Sequence, residues 1–549
     1  MSTIPYSLLG ERWLPFRTRD GGRRWIAPHE IVDDTLIAPD WGRADIDAAT
    51  YEFLIGLLAT AYAPENLSQW ADRFKTPPPP EALQQSFSRF AAAFELDGDQ
   101  SRFMQDFDVL DGEARPVSAL LIESPGAKTE SDNGDLFQKR GRIACLGMPA
   151  AAMALFALQT YASVGGKGFR VSLRGGGPLT TLALPPAEHD TLWRRLYLNV
   201  PCQPQPIPED LARIFGWMAP TRTSEGANFA TGPDDIHPLA AFWGAPRRIR
   251  LNFSNADDVR CDLTGEPAAR SVATHQRTPY GACYRAVKHP LSPMYRTKPD
   301  AKEWLFVHPQ PGGLTYHDWV DLALSESGKS LTRRPAEAIL TARERLRALR
   351  LGRSARLAVS GYDMKDATAR GFVESVYPLF ALSSPEANAA LDDAARRLAA
   401  GAAEIAYALT YAVREALNLK SGKAIRLGSL RESFFADTGE DFFAAVSSLA
   451  GLLEIDPESS EALSSTGRAF LDGSLGPTAF RLFDSEAPLD LLGSETGAQR
   501  VIKARRDLQF TLTGWGKRGS TVFERLGLPL PESKASKAKA RAKKKDARP

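Results

Sequence analysis

The chain has 549 residues, 43% of them hydrophobic and 24% charged, and a net charge of +2. That length predicts two or three domains with substantial cores, and the composition excludes a disordered or fibrous chain. The last sixteen residues, KASKAKARAKKKDARP, carry eight Lys or Arg against one Asp, which leaves the other 533 residues at −5 and excludes a body that coats nucleic acid by bulk attraction.

In chain order, SLLGERWLPFRTRDGGRRWIAPHEI predicts a strand, an Asp-Gly-Gly turn and a second strand. A helix follows in RADIDAATYEFLIGLLATAYA, with an apolar face through Tyr51, Leu54, Leu57 and Leu58, and another in PEALQQSFSRFAAAFEL, where a proline suits the first turn. MPAAAMALFALQTYA is apolar nearly all round and predicts a buried helix. It runs into QTYASVGGKGFRVSLRGGGPLTT, in which Phe169 to Arg174 alternate strictly between apolar and polar residues. That alternation predicts a short strand between two glycine clusters, with Arg170 and Arg174 on one face.

From about Leu182 to Tyr362 the pattern is mixed, with strand candidates RRIRLNF and RLAVSGY, one strong helix in PAEAILTARERLRALRL, and long loops of the kind that bind ligands. After about Leu382 only helical patterns remain. Ser384 is an N-cap candidate with Pro385 at the first helical position, Leu391, Leu398 and Ile405 are spaced by sevens, and three further helical segments follow. Four such segments suggest an antiparallel bundle. The expected class is therefore α+β: a mixed domain over 1–378, a four-helix bundle over 379–532, and a disordered, solvated basic tail over 533–549.

The motifs exclude several chemistries. The glycine stretch fails as a P-loop, because Lys167 is followed by Gly168 and not by Ser or Thr, and fails as a dinucleotide fingerprint, because the helix precedes it and the expected strand follows. An ordinary turn and a loop that lets a ligand approach the backbone both remain open. The seven His form no metal-binding spacing, and CDLTGE at Cys261 lacks the partner cysteine of a zinc knuckle. Cys145, Cys202, Cys261 and Cys283 are scattered and imply no disulfide framework. The start lacks a basic region followed by a long apolar run, so a cytoplasmic location is expected. SDNGDLFQKRGR places Phe137 among Lys139, Arg140 and Arg142, which suits stacking plus phosphate contact or a plain surface loop. SGYDMKDATAR is expected to leave a strand at Gly361 and enter a helix near Asp366, with Lys365 and Asp366 presented outward.

LLGERWLPFRTRDGG, FMQ at Phe103 to Gln105, GGKGFRVSLRGGGPLTT, HPLSP at His289 to Pro293 and SGYDM at Ser360 to Met364, in this order and followed by helices, resemble the CasA family, the large subunits of type I-E CRISPR Cascade complexes. The resemblance implies a non-catalytic DNA reader. The guide RNA pairs with the target, while this subunit inspects the flanking PAM duplex through the minor groove, nucleates strand separation and R-loop formation, and recruits the helicase-nuclease.

Residue by residue it implies a PAM-reading glycine loop at Gly165, Gly166, Lys167 and Gly168, a wedge at Lys365, Asp366 and Ala367, and a basic finger at Arg277. It further implies a guide-RNA anchor loop at Asn133, Phe137 and Lys139, and a path for the displaced strand along Arg500, Lys503 and Arg506. The implied partners are guide RNA, backbone subunits, a small-subunit dimer, the 5′-handle-binding subunit, double-stranded target DNA and the helicase-nuclease, with no cofactor, metal or membrane. The alternatives are a nucleotide- or phosphate-binding enzyme with a regulatory helical bundle, and an assembly scaffold that reads no DNA.

Overall fold

The computed structural model describes residues 5–112, 114–125, 131–133, 141–226, 230–255, 259–310, 312–325, 332–352, 354–365, 368–419, 425–489 and 495–532. The fold is α+β, and the chain divides into two units, Met1–Gly313 with Glu326–Ala381, and Leu314–Ser325 with Leu382–Pro549. No helix among the described residues is long and apolar enough to cross a membrane.

Two helices form the centre of the first unit, because neither has a polar face to give to water. Ala44–Ala61 is buried along most of its length and packs on the equally apolar Met148–Tyr161. Phe53 anchors an aromatic cluster, meeting Trp13, Phe94, Phe103, Phe156 and Trp243 edge-on with centroids 5.3–6.1 Å apart. The indole N–H groups drawn inward are paired, Trp243 with the Thr60 hydroxyl at 2.9 Å and Trp13 with the Leu8 carbonyl at 2.7 Å.

Small sheets surround this core. Leu14–Thr18 pairs with Arg23–Ile26 through the expected turn, where Gly21 adopts φ +85°, and also with Leu36–Pro39. Arg270–Thr278 is the middle strand of a four-stranded sheet, bonded to Ala114–Pro116, Leu146–Gly147 and Arg248–Asn255. A third sheet contains the longest strands: Ala355–Lys365 pairs with Thr368–Leu379 on one side and with Thr180–Leu184 on the other. The helix expected near Asp366 is therefore a correction. The chain turns back as an antiparallel hairpin, because residues on both arms are positioned to pair across it, and Lys365 lies opposite Thr368.

The second unit is a helical bundle around Pro385–Ala416. Ser384 caps this helix, its hydroxyl accepting from the Ala387 amide at 3.0 Å. Leu391, Leu398 and Ile405 are fully buried, as their heptad spacing requires. Around it lie Ile425–Asp437, Gly439–Ile455, Ser460–Phe470, Gly476–Glu486, Glu495–Leu512 and Gly516–Arg525, more segments than the periodicity alone separates. Tyr316–Ala323 joins them although it precedes them in sequence: Tyr316 stacks on Phe442 at 4.2 Å and shares a 3.0 Å hydrogen bond with Thr438.

Candidate nucleic-acid interface

The glycine stretch departs from its expected form. Residues 162–179 contain no strand. Ser172 closes a turn, its carbonyl accepting from the Gly175 amide at 3.0 Å and its hydroxyl donating to the Gly175 carbonyl at 2.5 Å. The two arginines part company. Arg174 turns into the core and pairs with Glu52 at 2.6 Å, each side chain only 3% exposed, while also donating to Thr180 and Ser292. Arg170 reaches Ser224, donating to its hydroxyl at 2.7 Å and its carbonyl at 2.8 Å. A buried carboxylate left without a cation is costly, and meeting Glu52 outweighs the local alternation pattern for Arg174. The sequence signal for Arg174 was Glu52 itself, a carboxylate in the middle of a largely apolar helix, past the acidic first turn of Asp45 and Asp47, where it needs a cation.

What the stretch does build is an exposed loop, Val164 to Lys167, held on a basic base. Gly166 and Gly168 have φ of +99° and +80°, a region that side-chain-bearing residues rarely adopt. Gly168 also sits against the chain that follows Arg270–Thr278: its carbonyl accepts from the Tyr280 amide at 2.7 Å, and a Cβ there would lie 2.7 Å from that of Pro279. Phe169 is approached by two guanidiniums, Arg277 at 4.6 Å and Arg247 at 5.7 Å from the ring centroid. Arg247 donates to the Ser163 carbonyl at the entrance to the loop. Burial, reinforced by the charge of Arg277, pushes the Arg247 guanidinium down to about 10, so it stays cationic at neutral pH. Arg277, expected from the sequence as the basic finger, lies over Phe169, whereas Arg247 looked only like the start of a strand and was not expected here.

The third sheet links this loop to the hairpin. After Gly175 the chain passes Gly177, where a Cβ would meet the Tyr362 carbonyl at 2.7 Å, and then pairs as Thr180–Leu184 with the inner end of Ala355–Lys365. Tyr362 donates to Asp45 at 2.6 Å and packs edge-on against Tyr161 and Phe372. The hairpin therefore stands on the same support as the glycine loop, and its outer end presents exposed Lys365. Asp366 and Ala367 lie outside the described residues.

The remaining expected positions fall elsewhere. Asn133 is exposed with φ +50°, and Phe137 and Lys139 lie outside the described residues. Arg500, Lys503 and Arg506 are exposed on Glu495–Leu512, opposite the buried face formed by Val501, Ala504 and Leu508. His289 is a core residue: its Nδ1 accepts from the Leu291 amide at 3.2 Å, and burial holds it well below the usual histidine range. Among the described residues no three His, Cys, Asp or Glu side chains are grouped to hold a metal.

A model of the family described as CRISPR-associated protein Cse1 matches residues 7–472. The fold is similar to that of CasA from Thermus thermophilus at 16% identity, covering 95% of this chain and all of that one with a TM-score of 0.64. It is similar to Cse1 of Thermobifida fusca at 16% identity, with 95% and 98% coverage and a TM-score of 0.66. It also matches a chain of a CRISPR RNA-guided surveillance complex at 15% identity, with 92% and 100% coverage and a TM-score of 0.58.

Proposed function

The chain belongs to the CRISPR-associated Cse1 family, and from that premise we propose that it is the non-catalytic large subunit of an RNA-guided surveillance complex, reading the PAM flank of double-stranded target DNA. The observation that carries this reading is the common support of three elements in the first unit: the glycine loop, the Arg247–Phe169–Arg277 base and the long hairpin. A loop with few side chains can bring its backbone to the edge of a base pair, where bulkier residues would be stopped by the groove walls. The guanidiniums behind it and the exposed Lys167 supply the positive field that holds a duplex there. Because the minor groove mainly distinguishes A·T from G·C pairs, such a reader tolerates several related flanks.

Strand opening needs something stiffer than a loop. The hairpin is two strands paired along its length, so force at its tip is carried into the sheet. Breaking the first stacked step costs about 1–2 kcal/mol, within reach of one inserted turn. Lys365, Asp366 and Ala367 form the wedge in this reading, and guide-RNA pairing then extends the opening. Asn133, Phe137 and Lys139 anchor the subunit on guide RNA, and Arg500, Lys503 and Arg506 face the displaced strand. Recruitment of the helicase-nuclease follows once the R-loop has formed.

The test is a gel shift with the complete guide-RNA complex, assembled with and without this chain, on targets that match the guide and differ only in the flank. Flank preference is expected to require the chain and to fall when Gly168 is changed to Ala. Preference that survives loss of the chain overturns the reading.

A further inference from the structure

Arg247, which donates to Ser163 at the entrance to the glycine loop, also lines a cavity of about 180 Å³ that the reading above does not use. It is smaller than the roughly 300–1,000 Å³ of sites for drug-sized ligands, so it suits a small ion better than a nucleotide. Its walls hold more positive charge than they neutralise. Arg213, Arg222 and Arg247 line it together with Asp106 and Asp235. Both carboxylates are already engaged, Asp106 by Arg248 at 2.6 Å and by the Thr221 hydroxyl at 2.9 Å, and Asp235 by Arg222. Arg213 donates only to the carbonyls of Asp234 and Ile236, at 3.5 and 3.4 Å, and Arg247 to that of Ser163; neither meets a carboxylate among the described residues.

Donors are also in excess. The buried Nε of Arg247 and the buried hydroxyl of Thr231, a residue 3% exposed, have no hydrogen-bond partner among the described residues. Tyr284, whose hydroxyl accepts from the Ala245 amide at 3.1 Å, keeps its own proton to give, since burial holds the phenol above its ordinary range. Buried donors without acceptors cost stability, and the buried Arg247 guanidinium without a carboxylate costs more, while Arg213 stands exposed at the cavity's edge and adds positive charge there. One ligand class relieves both: an oxyanion with several acceptor oxygens.

We propose that this cavity binds a phosphate-type oxyanion, and that the bound anion braces the glycine loop through Arg247. The phosphoryl group comes either from free inorganic phosphate or from a nucleic-acid backbone entering beside the loop. This site does not depend on the DNA reading, because its test needs no guide or target.

The experiment uses the full-length chain and inorganic phosphate, with chloride at matched ionic strength as the control. Phosphorus NMR linewidth and thermal unfolding are recorded for the wild type, Arg213→Gln and Thr231→Val. Phosphate is expected to broaden and to raise the melting temperature above the chloride control. Each variant is expected to weaken binding about tenfold, the loss of one hydrogen bond to a charged group. A variant that fails to fold leaves the other to decide. Adding a short DNA duplex then separates the two sources: displacement of phosphate by the duplex assigns the site to backbone phosphate, and retention assigns it to the free ion. Melting and linewidths equal to the chloride control, or phosphate binding unchanged in both variants, overturn the proposal.

Discussion

Arg174 and Glu52 lie 122 residues apart in sequence and form a fully enclosed pair. Glu52 also accepts from Thr180 at 2.6 Å and from Tyr161 at 2.9 Å, so the carboxylate is well satisfied only while the arginine remains. Arg174→Met should destabilise the protein by about 3–5 kcal/mol, as expected when one partner of a buried pair is lost, and Arg174→Met with Glu52→Gln should recover part of that. Denaturant unfolding of both variants checks this; wild-type stability in Arg174→Met would show that the buried pair does not hold the core together. A second prediction concerns His275, which burial, with Arg277 and Arg115 nearby, lowers from 6.5 to about 4. The folded protein keeps this imidazole neutral, while the unfolded chain takes up a proton below about 6.5. Its contribution is therefore complete above that pH and is lost as the pH falls toward 4, to an extent of order 3 kcal/mol. Melting curves between pH 7 and 4.5 should fall more steeply for the wild type than for His275→Phe; parallel curves would show that another group controls the slope.

At the scale of elements, the proposed function divides opening and reading between the hairpin and the glycine loop. If the hairpin tip is a wedge, replacing Lys365 by Ala and Asp366 by Gly should slow R-loop formation on linear target more than on negatively supercoiled target, because supercoiling supplies part of the opening energy. Equal slowing on both would mean that the tip acts only by attraction. The bundle helices were legible because their signals are local: a cap at Ser384, a first-turn proline, and apolar residues seven apart. The glycine stretch was not, because the Phe-Arg-Val-Ser-Leu-Arg alternation satisfies a strand template while its outcome is decided by Glu52 and Ser224, far away in sequence. The segment after Gly361 was misread for a similar reason. Its residues tolerate a helix start, but cross-strand pairing with the arm from Thr368 to Leu379 outweighs that local preference. The order of the motifs was readable, whereas the place of Arg247 beside Phe169 and Ser163 emerged only once the loop was folded over it.

Over the whole molecule, charge and fold suggest a division of labour. The body outside the last sixteen residues carries −5, so in the proposed function attraction to nucleic acid comes from a few placed cations and not from the average surface. In the first unit those cations stand behind a loop suited to a base edge; in the second, Arg500, Lys503 and Arg506 lie on an exposed helix face without a groove-reading element assigned to it. Phosphate contacts of the second kind set affinity and salt dependence but carry no sequence information. Replacing all three by Gln should therefore leave flank preference unchanged while reducing the slope of log affinity against log salt by about 2, from roughly 0.7 per phosphate contact on single-stranded DNA. Gly168→Ala should do the reverse, weakening preference with little change in slope, because it alters backbone approach and removes no charge. Binding isotherms of the assembled complex at several salt concentrations, on preferred and disfavoured flanks, measure both quantities in one series. A triple variant that shifts flank preference, or keeps the wild-type slope, would remove Arg500, Lys503 and Arg506 from the displaced-strand path and place the salt-sensitive contacts in the first unit.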